Sequence, residues 1–179
     1  MTLIVAFLRG INVGGHTVKQ EQLYKAFSSL GLQNVVTYKQ SGNVIFEADA
    51  KEIDEMKAKI EETLRNMLGY DTAVFFRTIS QLKVMIALNV FEGQEREGTS
   101  FLVTMLPDAP AKFLLELPLT IPKSTAKIIS VVGAEVFSVT HGDGEGALPN
   151  PFVESKLKVK ATTRNMNTIK GIVKKALQR

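Results

Sequence analysis

The hydrophobic positions in the first half of the chain predict a regular alternation of strands and helices. Apolar and β-branched runs predict four strands, over residues 2–8, 34–39, 44–46 and 72–76. One amphipathic helix is expected from a capping box at Thr17 to Gly31, and a second runs from Lys51 to Leu68. Ser41–Asn43 is typical of a hairpin turn. The order βαββαβ is that of a ferredoxin-like domain, with the first strand beside the third and both helices on one face.

The second half of the chain repeats this plan in a degenerate form, without a letter-by-letter repeat. Its predicted elements are a helix over 80–88, a strand over 99–105, a short helix over 111–115, a hairpin of 127–132 with 135–140, a short helix over 151–157 and a last helix capped by Thr162 or Thr163. The sequence therefore predicts an α+β fold made of two ferredoxin-like halves with antiparallel or mixed sheets. We expect the halves to comprise residues 1–78 and 79–179.

The amino-acid composition argues against several classes of protein. The chain has no cysteine, which excludes disulfides and thiolate metal sites and is compatible with a reducing cytosol. Its two histidines are far apart and lack ligand-spaced partners, so we expect no metal and no cofactor. No apolar run approaches the roughly 20 residues of a membrane span. The first strand also lacks the basic segment of a signal peptide. A cytoplasmic protein without membrane contact is expected.

Positive charge is concentrated at the end of the chain. The net charge is +4, yet residues 156–179 contain eight lysines and arginines and no acidic residue. A basic terminus on a mildly acidic body is typical of a protein that meets a phosphate-bearing partner. Solubility is the alternative explanation for these lysines.

The loop after the first strand is the first candidate for a ligand site. Its glycines have the spacing of a phosphate loop, but His16 stands where that mechanism needs lysine, and the predicted hairpin argues against a parallel sheet. A glycine-rich turn that enters a helix still offers backbone N–H groups to an anion. The alternative is that the glycines only permit a tight turn. Arg9 ends an apolar strand and needs a partner there, either a carboxylate or a ligand.

Two further polar segments add candidates. Residues 37–43 bring hydroxyl, amide and ammonium donors to the hairpin, although turn chemistry explains Ser41 and Gly42. Residues 162–168 are dense in polar side chains, and Arg164 near a helix N-terminus would oppose the helix dipole, which favours a binding role. The candidate ligand-binding residues are Arg9, Asn12, Gly14, Gly15, Tyr38, Asn43, Arg164, Asn165, Asn167 and Lys170.

Three motifs in chain order resemble the bacterial family known as DUF1697. They are Leu8–Gly15, Thr37–Tyr38 with Ser41–Val44, and Thr163–Thr168. The resemblance covers essentially the whole chain. It implies an α+β fold of two ferredoxin-like halves in a bacterial protein with no established activity. The chain departs from the family pattern at Met166, where tryptophan is usual, and at His16, where lysine is frequent.

Three functions from different classes follow from these observations. The first is binding of a phosphate-bearing ligand or nucleic acid through a basic surface. The second is a small-molecule enzyme with its site in the cleft between the halves and His16 or Tyr38 as acid or base. The third is a structural module that forms a homodimer through the face of the first sheet left free by the helices. No catalytic residue is assigned.

Overall fold

The computed structural model describes residues 1–12, 17–110, 116–142 and 148–178, apart from the side chain of Ala50. It contains five helices and two antiparallel sheets among these residues, which confirms the predicted α+β class. The chain folds into two compact units, Met1–Lys83 with Ile172–Arg179, and Val84–Gly171. The predicted division into 1–78 and 79–179 stays a prediction.

The first unit has the predicted βαββαβ order. Its strands are β1 (Thr2–Leu8), β2 (Gln33–Thr37), β3 (Asn43–Ala48) and β4 (Val74–Thr78). Its helices are α1 (Gln20–Ser28), α2 (Ile53–Leu68, after a 3₁₀ turn at Ala50–Glu52) and α3 (Ile79–Ala87), of which α3 continues into the second unit. The strands lie in the order β2-β3-β1-β4, so the first strand lies beside the third, as predicted.

The two helices of the βαββαβ unit pack on one face of its sheet. The core there contains Leu23 and Phe27 of α1 and Ile60 of α2, packed with side chains of β1 and β3 such as Ala6 and Phe46. Gly69 ends α2 in the left-handed conformation, with φ +76°, as the sequence predicted.

The opposite face of the first sheet is not exposed. Alternate residues of a strand point to opposite faces, so Val5 and Phe7 point away from the core that contains Ala6. Both are fully buried, and so is Ile45 of β3; Phe75 of β4 is nearly so. The dimer hypothesis required a large exposed apolar area on this face, and these residues do not supply it. A homodimer stays a prediction.

The second unit repeats the strand order of the first. Its strands are β5 (Thr99–Met105), β6 (Leu119–Thr120), β7 (Lys127–Val132), β8 (Glu135–His141) and β9 (Thr162–Asn165), and its helices are α4 (Asn150–Leu157) and α5 (Met166–Leu177), which ends in the first unit. The sheet order is β6-β7-β8-β5-β9. Without the two-residue strand β6, the unit's first strand again lies between its third and fourth strands. The predicted helix over 111–115 lies outside the described residues.

Two predicted helix starts are wrong. Helix α1 begins at Gln20 instead of Thr17, because the amide of Lys19 donates to Oε1 of Gln22 at 2.9 Å and closes the first turn there. Thr162 and Thr163 do not cap the last helix, because they belong to β9 and pair with β5. Their β-branched side chains suit a strand.

Candidate functional site

The structure brings four of the candidate residues to one end of the first sheet. They are Arg9, Asn12, Tyr38 and Asn43. At this end the amide of Leu8 donates to the carbonyl of Gly42 at 2.8 Å, and the amide of Arg9 donates to the carbonyl of Ala73 at 2.9 Å. The loop after β1, the β2–β3 hairpin and the start of β4 are therefore joined. Gly14, Gly15 and His16 lie outside the described residues.

The two asparagine amides at this end hold the loops in place. Asn12 Nδ2 donates to the carbonyl of Gln40, and Asn12 Oδ1 accepts from the amide of Val18 at 2.5 Å. Asn43 is fully buried, and its Nδ2 donates to the carbonyl of Tyr38 at 2.9 Å and to Ser41 Oγ at 2.8 Å. These bonds give both side chains a structural role. Their role in ligand binding stays a prediction.

Two cationic residues lie near this end of the sheet. Arg9 is half-buried, and its carbonyl accepts from Thr72 Oγ1. Lys39 is exposed, and its Nζ lies 5.7 Å from the centre of the Tyr38 ring. Positive charge beside a phenol suits contact with an anion. Tyr38 as acid or base in an enzyme stays a prediction.

Arg164 is buried in β9, on a strand and not in the first turn of a helix. It is 8% exposed, and its Nη1 donates to Thr162 Oγ1 at 2.8 Å and to the carbonyl of Thr163 at 2.9 Å. Burial lowers the pKa of Arg164 to about 10, because the charged form loses hydration, so the side chain stays cationic at neutral pH. Contrary to the prediction, Arg164 is therefore not in the first turn of a helix, since α5 begins two residues later.

Sequence reasoning missed a second buried arginine, Arg77 of β4. It is 7% exposed, and its Nη1 donates to the carbonyl of Phe76 at 2.7 Å. Arg77 and Arg164 thus occupy the fourth strand of their respective ferredoxin-like units, and each donates from Nη1 to the carbonyl of the preceding residue. The signal in the sequence was an arginine that directly continues the apolar run of β4.

Helix α5 presents its lysines and Asn167 to solvent. Asn165 caps the helix, because its Oδ1 accepts from the amide of Asn167 at 2.8 Å. Asn167 is exposed, and so are three lysines that we call the basic helix face: Lys170, Lys174 and Lys175. Within the described part of the chain, no hydrogen bond or ion pair involves the side chains of these lysines.

By comparison, one lysine on each of the first two helices pairs with a carboxylate. Lys25 Nζ lies 2.8 Å from Glu21 Oε1, and Lys59 Nζ lies 2.7 Å from Glu55 Oε1. Hydrogen bonds to these carboxylates raise the pKa of Lys25 and of Lys59. Helix α5 contains no acidic residue that could do the same. Its charge is therefore available to an anionic partner.

Among the described residues there is neither a metal-binding group nor a membrane-spanning helix. No group of three histidine, aspartate or glutamate side chains is placed to hold a metal ion within residues 1–12, 17–110, 116–142 and 148–178. None of the helices in these ranges is both long enough and apolar enough to cross a membrane.

Comparisons with known proteins identify a family and a related fold. The model of DUF1697, described as a protein of unknown function, matches residues 1–137. The structure of the conserved bacterial protein SP0830 from Streptococcus pneumoniae is similar, with a TM-score of 0.64, 18% sequence identity and 98% of each chain covered. A search of curated proteins finds no match. At this identity the structural likeness shows the fold alone.

Proposed function

The chain belongs to DUF1697, a family of proteins of unknown function, and from that premise we propose that it binds a phosphate-bearing ligand, and in particular nucleic acid, through the basic helix face. The observation that carries the proposal is that Lys170, Lys174 and Lys175 are exposed on a helix without acidic residues. Unpaired cations on one surface attract polyanions and gain the free energy of released counterions. We also propose a cytoplasmic location, which the lack of cysteine supports.

The spacing of the lysines supports a nucleic-acid backbone as the ligand. Lys170 and Lys174 are four residues apart, which is about 6 Å along a helix axis. Each strand of duplex DNA carries one negative charge per about 3.4 Å of helix axis. Two neighbouring ammonium groups can therefore each meet a phosphate of such a densely charged backbone. Asn167, exposed one turn earlier, can add an amide hydrogen bond.

The proposed surface differs from the one expected from sequence. Arg164 belonged to the expected basic surface, but its burial removes it from contact with a macromolecule. Binding by exposed lysines alone predicts little dependence on base sequence, because lysine meets phosphate as a point charge.

A charge-matched pair of variants tests this proposal. The triple variant Lys170→Gln, Lys174→Gln, Lys175→Gln removes the basic helix face. The control Lys51→Gln, Lys83→Gln, Lys127→Gln removes the same charge from exposed lysines elsewhere. Fluorescence anisotropy with labelled single-stranded and duplex oligonucleotides measures affinity over a range of salt concentrations.

We expect the unmodified protein to bind both oligonucleotides at low salt. The helix-face variant should bind about tenfold more weakly or worse, and the slope of log affinity against log salt should fall by about 2 to 3. The control should stay within about twofold of the unmodified protein. No binding at low salt, or equal losses in both variants, would show that the basic helix face is not the binding surface.

A further inference from the structure

Strand β4 forms one edge of the first sheet, and side chains bond its backbone groups. The amide of Val74 donates to Glu61 Oε1 at 2.9 Å, and the carbonyl of Phe76 accepts from Arg77 Nη1 at 2.7 Å. At the end of the strand, Gln81 Oε1 accepts from a third backbone group, an amide, at 2.8 Å. Backbone groups that are bonded in this way are not available to a further strand.

Strand β2 forms the other edge, and its backbone is not bonded in this way. The amide of Tyr38 donates to the carbonyl of Asn43 at 2.9 Å, and hydrogen-bonded pairs alternate along an antiparallel ladder. Thr37, one residue earlier, therefore directs its amide and carbonyl away from β3. Within the described residues, neither group has a hydrogen-bond partner. A cavity of about 730 Å³, lined in part by Val35 and Val36, opens beside this edge.

The residues of β2 favour a second copy of this chain as the occupant of the edge. Gln33–Thr37 carry no charge, whereas the edge strands of monomeric proteins are often protected by lysine or another charged residue. A two-fold axis brings equivalent residues close together, so a charge on this strand would repel its own copy. The bulge between Gln33 and Val36 still protects the first part of the strand. The open stretch is short, and we expect the association to be weak.

We propose that the chain forms a homodimer in which the β2 strands of two copies pair in antiparallel orientation, centred on Thr37. In this register the amide of each Thr37 donates to the carbonyl of the partner's Thr37. Val36 lies opposite the partner's Tyr38, and a β-branched residue beside an aromatic one is a favourable cross-strand pair. Lys39 lies opposite the partner's Val35, so no charged residue faces its own copy.

Helix α1 belongs to the same interface. A two-fold axis perpendicular to the sheet keeps both copies of α1 on one face, where they flank the new strand pair. Tyr24 of α1 lines the cavity beside β2 and is 49% exposed. The second copy covers this ring and the apolar wall of Leu32 and Val35. The interface uses the edge of the sheet instead of its face, and it does not depend on nucleic-acid binding.

Sedimentation equilibrium of the full chain tests the proposal. We expect twice the mass of one chain at about 0.2 mM and a decrease towards the monomer mass on dilution to about 1 μM. Thr37→Pro removes the amide that crosses the interface and should abolish the dimer. Thr37→Val keeps that amide and should associate within about threefold of the unmodified protein. Both variants lose the hydroxyl bond to Gln20, so this loss is matched, and circular dichroism checks that both are folded.

An exchange of charge tests the register itself. Thr37→Lys and Thr37→Glu each place two like charges opposite one another across the axis, so each variant alone should be monomeric. An equimolar mixture of the two variants places opposite charges there and should restore the dimer. A variant that merely failed to fold would not recover on mixing.

Three results would overturn the proposal. A monomer at about 0.2 mM would leave the edge of β2 to a segment of another protein. A dimer that persists in Thr37→Pro would show that another surface holds the copies together. Folded charge variants that stay monomeric when mixed would show that the two copies do not meet at Thr37.

Discussion

The charged side chain of Arg164 is buried in the second unit and donates hydrogen bonds to neutral oxygens. Its Nη1 directs hydrogen bonds to a hydroxyl and a carbonyl of the two preceding residues, Thr162 and Thr163. Hydrogen bonds from a charged donor are among the stronger ones in proteins, which offsets part of the lost hydration. Burial lowers the pKa of Arg164 to about 10, because the charged form loses hydration. The guanidinium therefore hydrogen-bonds to two residues of its own strand, β9.

Replacement of Arg164 should lower the stability of the fold more than it changes any property of the surface. We expect Arg164→Ala to lower the free energy of unfolding by about 2–4 kcal/mol, because it leaves a void and removes hydrogen bonds from buried oxygens. Urea denaturation followed by circular dichroism measures this. Lys170→Ala, on the exposed face of α5, should change the value by less than about 0.5 kcal/mol. A stable Arg164→Ala protein that fails to bind oligonucleotides would instead make Arg164 a ligand contact.

The junction of β9 and α5 is built without a loop. Asn165 is the last residue of the strand, where it pairs with Leu102, and it is also the cap of the helix that begins at Met166. Its Oδ1 accepts from the amide of Asn167 and so satisfies one of the free N–H groups of the first turn. One side chain thus sets the point at which the strand becomes a helix.

Loss of this cap should destabilise the start of α5. We expect Asn165→Ala to lower the free energy of unfolding by about 0.5–2 kcal/mol and to speed hydrogen exchange in the first turn of α5. Asn165→Asp keeps an oxygen acceptor and adds a charge that the helix N-terminus favours, so it should stay within about 0.5 kcal/mol. If alanine and aspartate behave alike, the hydrogen bond of Asn165 does not stabilise the junction.

At the scale of the whole molecule, the first unit is not continuous in sequence. It includes the residues from Ile172 to the end of the chain, although the rest of α5 belongs to the second unit. Ile172 is fully buried, and Ala176 is 5% exposed. The end of the last helix therefore belongs to a unit whose other residues come first in the chain.

Truncation tests this arrangement. We expect deletion of residues 172–179 to lower the free energy of unfolding by more than about 3 kcal/mol, because it removes buried side chains. Hydrogen exchange should also become faster within residues 1–83. Deletion of residues 178 and 179 alone should have little effect, since Gln178 is exposed. Unchanged protection of residues 1–83 in the longer deletion would show that the first unit does not need the end of the helix.

The parts of the fold that were predictable are those specified by residues close together in the sequence. Strand β5 and the β7–β8 hairpin occur almost where predicted, because alternating apolar residues and Gly133, with φ +57°, specify them locally. The end of α2 at Gly69 follows from the same kind of signal. The candidate site was predictable in outline, since polar residues cluster at the ends of apolar strands. The structural use of the amides of Asn12 and Asn43 was not, because it depends on how the loops close around them.

By itself the sequence determined the two-halved α+β class, the order of strands and helices in the first half and the excess of positive charge near the end of the chain. Only the tertiary structure decided which of those charges are accessible. Thr163 pairs with Thr104, and their hydroxyl oxygens lie 2.8 Å apart although the two residues are 59 positions apart in sequence. That pairing draws residues 162–165 into a strand and buries Arg164, against their local appearance as a helix start. Strand pairing depends on a partner distant in sequence, and no local pattern encodes it.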